Sequence, residues 1–225
     1  MRGIAALRSG ALPMRRFLLL LSFSLALAAG IGGAAQAHPH VWVIMKSEVV
    51  YGPDGSATAV RHHWTFDEMF STFATQGMDT KKAGGLTRAD LAPLAEVNVT
   101  SLKDFEFFTF AKADGKKPEF NDPNDYWLDH TDGRLTLHFT LPFKTPVKAK
   151  QLDVEIYDTS FFVDFGLFEK EPVSLAGAPP GCKVAAQGPR TASAQQPLNE
   201  SFFENLSPGS SFGQQFANRI SVACP

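Results

Sequence analysis

The sequence predicts an α+β fold: one domain dominated by antiparallel sheet, with two helices between an N-terminal hairpin and the later strands. Two patterns carry the prediction. Runs rich in β-branched and aromatic residues stop at Gly/Pro/Asp clusters, as strands do at turns. Between them lie two stretches with apolar residues at helical spacing behind threonine caps. A third observation is negative. Strand and helix patterns do not alternate, which argues against a doubly wound parallel sheet.

The chain opens on a predicted leader. Phe17 to Ala29 is an apolar run behind Arg15-Arg16 and ahead of Gly30, Gly32 and Gly33. A spanning helix needs roughly 20 apolar residues, so this shorter run reads as the core of an export signal. Ala35-Gln36-Ala37 supplies the cleavage pattern, giving a signal peptide over 1–37 and one periplasmic domain over 38–225. Arg15-Arg16-Phe17-Leu18 hints at twin-arginine export, but Met14 stands where Ser or Thr is usual, which favours general secretion. Initiation at Met14 would leave the same mature chain. The leader takes Arg2, Arg8, Arg15 and Arg16 with it and no acid, so the mature surface is net acidic. Such a surface disfavours nucleic acid and anionic lipid and mildly attracts cations.

Val41 to Tyr51 and Ala57 to Trp64 read as a hairpin about Gly52-Pro53-Asp54-Gly55, with Thr58, Val60, His62 and Trp64 on one face. Thr65-Phe66-Asp67-Glu68 has capping-box spacing and predicts a helix from about Phe66 to Thr75, its apolar face Phe66, Met69, Phe70 and Phe73. A second helix is predicted after Thr87, with Asp90 as its third residue, Leu91, Leu94, Ala95, Asn98 and Leu102 on one face, and Pro93 tolerated only near its start. Phe105 to Lys112 returns to period two. Tyr126–His130 and Leu135–Leu141 flank Thr131-Asp132-Gly133-Arg134, the clearest hairpin in the chain, and Leu135, Leu137, Phe139 and Leu141 point to the core. Leu152 to Tyr157 is a further strand and Ile220 to Cys224 a closing one. Residues 177–197 are loop-rich, with a short strand at Cys182-Lys183-Val184, and Phe202, Phe203 and Phe212 are apolar enough to dock on the domain.

Cys182 and Cys224 are the two cysteines. In an exported chain an even count favours a disulfide, worth about 4 kcal/mol for a loop of this length; a thiolate metal pair is the alternative.

The chemistry gathers at the predicted mature start. Cleavage after Ala37 makes His38 the first residue, offering an α-amine and an imidazole to one ion, and an extended chain puts His40 on the same face. Such donors suit Ni, Co, Cu or Zn. Pro39 has no amide proton to lose, so a square-planar site built from deprotonated amides is excluded. His62 is a third donor if the hairpin brings it beside His40, and Asp158 is a candidate carboxylate. Each has a plainer reading: a frayed terminus for His38, an outward strand histidine for His62, an Asx-turn for Asp158. His63 faces away from His62, His130 and His138 read as solvent-facing, and helix capping accounts for Asp67 and Glu68. No serine elbow, zinc-protease helix, phosphate loop or Cys-x-x-Cys occurs, so no enzyme activity is expected.

Three segments read together: His38-Pro39-His40-Val41-Trp42, Trp64-Thr65-Phe66-Asp67-Glu68-Met69-Phe70 and Tyr157-Asp158-Thr159-Ser160-Phe161-Phe162. In these the chain resembles the bacterial domain-of-unknown-function family numbered one thousand and seven. The resemblance implies an exported component of an ABC-type transport system, linked in some members to nickel/cobalt-type permeases. A two-lobed substrate-binding protein would need alternating strand–helix units that this sequence lacks, so a small metal chaperone or permease accessory fits better. The expectation is therefore a periplasmic protein that binds a transition metal near its mature N-terminus and serves an inner-membrane permease. The rivals are a metal-free adaptor docking on that permease through Phe-rich surface, and a copper oxidoreductase using the terminal histidine.

Overall fold

The computed structural model describes residues 40–189 and 212–225. The predicted leader, His38, Phe202 and Phe203 lie outside the described residues. The elements run β1 (Val41–Tyr51), β2 (Ala57–Phe66), α1 (Glu68–Ala74), α2 (Arg88–Leu102), a 3-10 turn (Lys103–Phe108), β3 (Thr109–Ala113), β4 (Tyr126–Thr131), β5 (Arg134–Val147), β6 (Gln151–Ile156), β7 (Val163–Leu167), β8 (Val173–Ala176), β9 (Lys183–Gln187), a second 3-10 turn (Phe212–Phe216) and β10 (Asn218–Ala223). This is the predicted sheet-dominated α+β domain with two α-helices.

The strands form two sheets. One has the order β4-β5-β2-β1-β7, with β8 also on β1; the other is β3-β6-β10-β9. Their inner faces share one core, in which Trp64 meets Phe139 and Phe165 edge-on and Phe108 bridges to Phe165. Burial alternates along β1 from Val41 to Val50 and along β5 from Arg134 to Lys144, where Leu135, Leu137, Phe139 and Leu141 are all sealed from solvent. The β4–β5 hairpin turns at Asp132-Gly133, both at positive φ, as a two-residue turn matched to strand twist requires.

Several boundaries differ from the prediction. Thr65 does not cap α1. It lies in β2, its hydroxyl paired with Thr136, and Asp67 is the cap, accepting from the Phe70 amide. The β2–β5 ladder claims Thr65, which moves the helix start by two residues. Met69 and Phe73, on the predicted apolar face, are exposed; Ser71 is the sealed side of α1, accepting from the Leu135 amide. α2 starts after Thr87 as predicted, with Asp90 as its third residue, and the two close a capping box. The strand predicted from Phe105 begins only at Thr109, because Glu106, Phe107 and Phe108 take positive φ in a tight turn that drives Phe107 and Phe108 into the core. β5 continues past the predicted end at Leu141, with Pro142 opposite Ala59. The sequence reading had no counterpart for β7 and β8, which run parallel to β1. Cys182 and Cys224 are joined as a disulfide, and the cysteine at 182 begins the approach to β9 inside the loop-rich segment.

Candidate functional site

β1 begins where two other elements converge on it. The amides of His40 and Val41 both donate to the Phe162 carbonyl, and the parallel ladder continues with Trp42 opposite Asp164 and Ile44 opposite Gly166. On the other side Asp67 accepts from the Trp42 amide while its own amide donates to the Trp42 carbonyl. His40 is exposed and its ring stacks on Phe162 at 4.7 Å. Phe165 points to the core, so Asp164 lies on the opposite, outward face with Phe162 and His40. Burial raises the Asp164 carboxyl above its usual range, and among the described residues it has neither a hydrogen-bond donor nor an ion-pair partner.

Asp158 is not a free carboxylate. One oxygen accepts from the amide and hydroxyl of Ser160, each at 2.8 Å, and the other from the amides of Phe162 and Val163, each at 3.0 Å. Buried and saturated, it fixes the 158–163 turn and so sets the Phe162 carbonyl where β1 docks. Its place in a ligand set is corrected to that of a turn clamp.

His62 is likewise placed elsewhere. It pairs with Ser47 and is fully buried, many residues along the hairpin from His40, so β2 does not bring the two together. The Thr109 hydroxyl donates to the Phe107 carbonyl at 2.8 Å, leaving its oxygen to accept from His62 Nε2 at 3.3 Å. Nδ1 then accepts from the Ser47 hydroxyl at 2.9 Å. Both ring nitrogens are satisfied by a neutral imidazole, and burial depresses the pKa to about 3. This is a core histidine.

The sequence reading missed a second cluster on the outward face. Lys46 of β1, His63 of β2, His138 of β5 and Trp127 of β4 stand in one row across four strands. The Nδ1 atoms of His63 and His138 face each other at 2.5 Å. His138 Nε2 lies 3.2 Å from Asp129 Oδ2, and Trp127 stacks flat on the His138 ring at 4.8 Å. Asp129 is itself held by Arg88 Nε at 3.1 Å and Trp127 Nε1 at 3.2 Å. Burial opposes its ionisation, but Arg88 and Trp127 outweigh that and keep its pKa below the usual range. Burial lowers the pKa of both histidines, so both are neutral at neutral pH. Strand alternation puts both side chains outward; that β2 and β5 are neighbours in this register is not a local property, so no sequence signal pairs them.

Among the described residues no group of three or more His, Cys, Asp or Glu side chains is gathered to hold a metal ion. No helix among them is long and apolar enough to cross a membrane.

Comparison with known proteins places the chain in a family without assigning it chemistry. It is 31% identical over 98 residues to an "Uncharacterized 15.5 kDa protein in trpE 3'region" of Spirochaeta aurantia, an alignment covering 43% of this chain and 70% of that protein. The family model described as "Protein of unknown function (DUF1007)" matches residues 23–224, the whole of both sheets, and the chain belongs to that family.

Proposed function

We propose that this is an exported protein that binds a transition-metal ion at the start of β1 and serves metal transport across the cell envelope, delivering to an inner-membrane permease of nickel/cobalt type. The observation that carries the reading is the placement of His40. The His40 and Val41 amides pin its backbone to one carbonyl, and its ring shares the outward face with the Asp164 carboxylate, which has no partner among the described residues. An imidazole and a carboxylate are both donors for Ni, Co, Cu or Zn, and the residue two places before His40 is His38, with a free α-amine if cleavage follows Ala37. In this reading His38 gives amine and imidazole, His40 an imidazole, and Asp164 takes the carboxylate role first assigned to Asp158. In this reading the donors carry the ion and hand it on.

A metal-free adaptor role draws support from exposed apolar residues beside the same site. Trp42, Ile44, Phe162 and Phe168 face outward from β1 and the flanks of β7, and α1 adds Met69 and Phe73. The two readings separate in one experiment. Calorimetric titration of the processed protein with Ni(II) and Zn(II) should show an N-terminal site that weakens at least tenfold in His40→Ala and severalfold in Asp164→Asn. Binding unchanged in both variants would leave the adaptor reading standing and refute this one.

A further inference from the structure

We propose that His63 and His138 form a second divalent transition-metal site on the outward face of the larger sheet, independent of the chain's N-terminus. The argument begins with tautomers. The Asp129 carboxylate at 3.2 Å from His138 Nε2 favours the ring proton on that nitrogen, which leaves the Nδ1 lone pair free. That lone pair points at His63 Nδ1, 2.5 Å away. Between two neutral rings one proton satisfies that approach, His63 Nδ1–H donating to His138 Nδ1, and a metal ion that displaces this proton meets two converging nitrogen lone pairs. At roughly 2.0–2.1 Å per Zn–N bond a tetrahedral ion needs the nitrogens to open to about 3.3 Å, a sub-ångström movement at the tips of two side chains.

The surroundings are those of a supported ligand pair. A carboxylate on the non-ligating nitrogen is the arrangement that orients metal-bound histidines and raises their basicity. Here it is reinforced twice, since Arg88 and Trp127 fix Asp129 and Trp127 also stacks on the His138 ring. The neighbouring cations are engaged elsewhere: Arg61 pairs with Glu48, Arg88 with Asp129, and the Lys46 ammonium sits over the Phe168 ring at 4.1 Å. Two protein nitrogens leave the remaining positions to water or to a donor brought by the ion's carrier. An open site of that kind exchanges its ion readily, which suits a hand-over point more than a structural metal.

The test uses full-length mature protein carrying one extra glycine before His38 together with His40→Ala, which disables the first site. Zn(II) alone is the titrant. One equivalent should still bind, with the ring resonances of His63 and His138 shifting together in heteronuclear spectra. His138→Ala or His63→Ala should weaken binding at least tenfold, and Asp129→Asn by 10–100-fold, the usual cost of losing an outer-shell carboxylate. His63→Gln, which keeps a polar side chain on the exposed strand face, guards against a folding artefact and should bind as weakly as His63→Ala. The proposal is overturned if the disabled protein takes up no Zn(II), or if uptake survives His63→Ala/His138→Ala in a protein with unchanged thermal unfolding. Loss of binding on disabling the N-terminus would fault this site alone, and indifference to that change would fault only the first.

Discussion

Two residues with the look of ligands turn out to hold the fold, and their chemistry makes each testable. His62 is neutral in the native state and its pKa is depressed to about 3 by burial, against about 6.5 in the unfolded chain. Above pH 6.5 neither state takes up a proton, so this group contributes no pH dependence. Below 6.5 the unfolded state binds a proton that the native state refuses, and stability falls as pH drops toward 3. The slope is about 1.4 kcal/mol per pH unit for one such group. Urea unfolding between pH 7 and 4.5 should show that decline, and His62→Leu should make it shallower by the His62 share, His63 and His138 keeping theirs, while costing some stability throughout because Ser47 loses its partner. Asp158 makes the complementary case. Asp158→Ala should strip four donors of their acceptor and cost on the order of 3 kcal/mol or more. Asp158→Asn should recover only part of that, since its amide group would face N–H donors. The carboxylate that the sequence does not distinguish is Asp164. Only the parallel register of β7 on β1, between residues more than a hundred positions apart, shows that it shares a face with His40.

At the scale of elements, what was legible depended on how local the deciding interactions are. The β4–β5 hairpin and the start of α2 after Thr87 are written within a few residues, and both are present as predicted. The start of α1 was not, because Thr65 and Asp67 are both good caps. The choice rests on Thr136, a cross-strand neighbour seventy-one residues away. β7 and β8 are short and carry Asp164, Gly166 and Ser174 in place of an unbroken apolar run, so they become strands only because β1 offers an edge. The second 3-10 turn is placed by a single glycine. A Cβ at Gly213 would lie 1.7 Å from the Asp158 carbonyl oxygen, and the Gly213 amide donates to the Thr159 carbonyl. Gly213→Ala should therefore push that turn off the Asp158 loop, lower stability by about 1–3 kcal/mol, the usual cost of overpacking, and weaken metal binding at His40 through the shifted Phe162 carbonyl. Thermal unfolding and a Zn(II) titration check the two effects separately.

For the whole molecule, one core spans both sheets, and the disulfide ties the end of β10 to the start of β9 at the edge of the smaller one. Closing that loop is worth about 4 kcal/mol by restricting the unfolded chain. Cys182→Ala/Cys224→Ala should lose stability of that order in denaturant unfolding while leaving both metal affinities intact, because neither proposed site draws on the smaller sheet. The fold thus separates its tasks: the smaller sheet carries the bridge, and the outward face of the larger one carries His40, His63, His138 and the exposed Trp42 and Ile44.

On the proposed function, the mature chain begins at His38 and grips a metal with that residue and His40. The most direct measurement is a Ni(II) titration of mature protein whose intact mass confirms His38 as the first residue, against the same protein with one glycine ahead of it. The account predicts at least tenfold weaker binding at the N-terminal site in the extended protein. Equal binding by the two, or an exported product that starts at another residue, would contradict it.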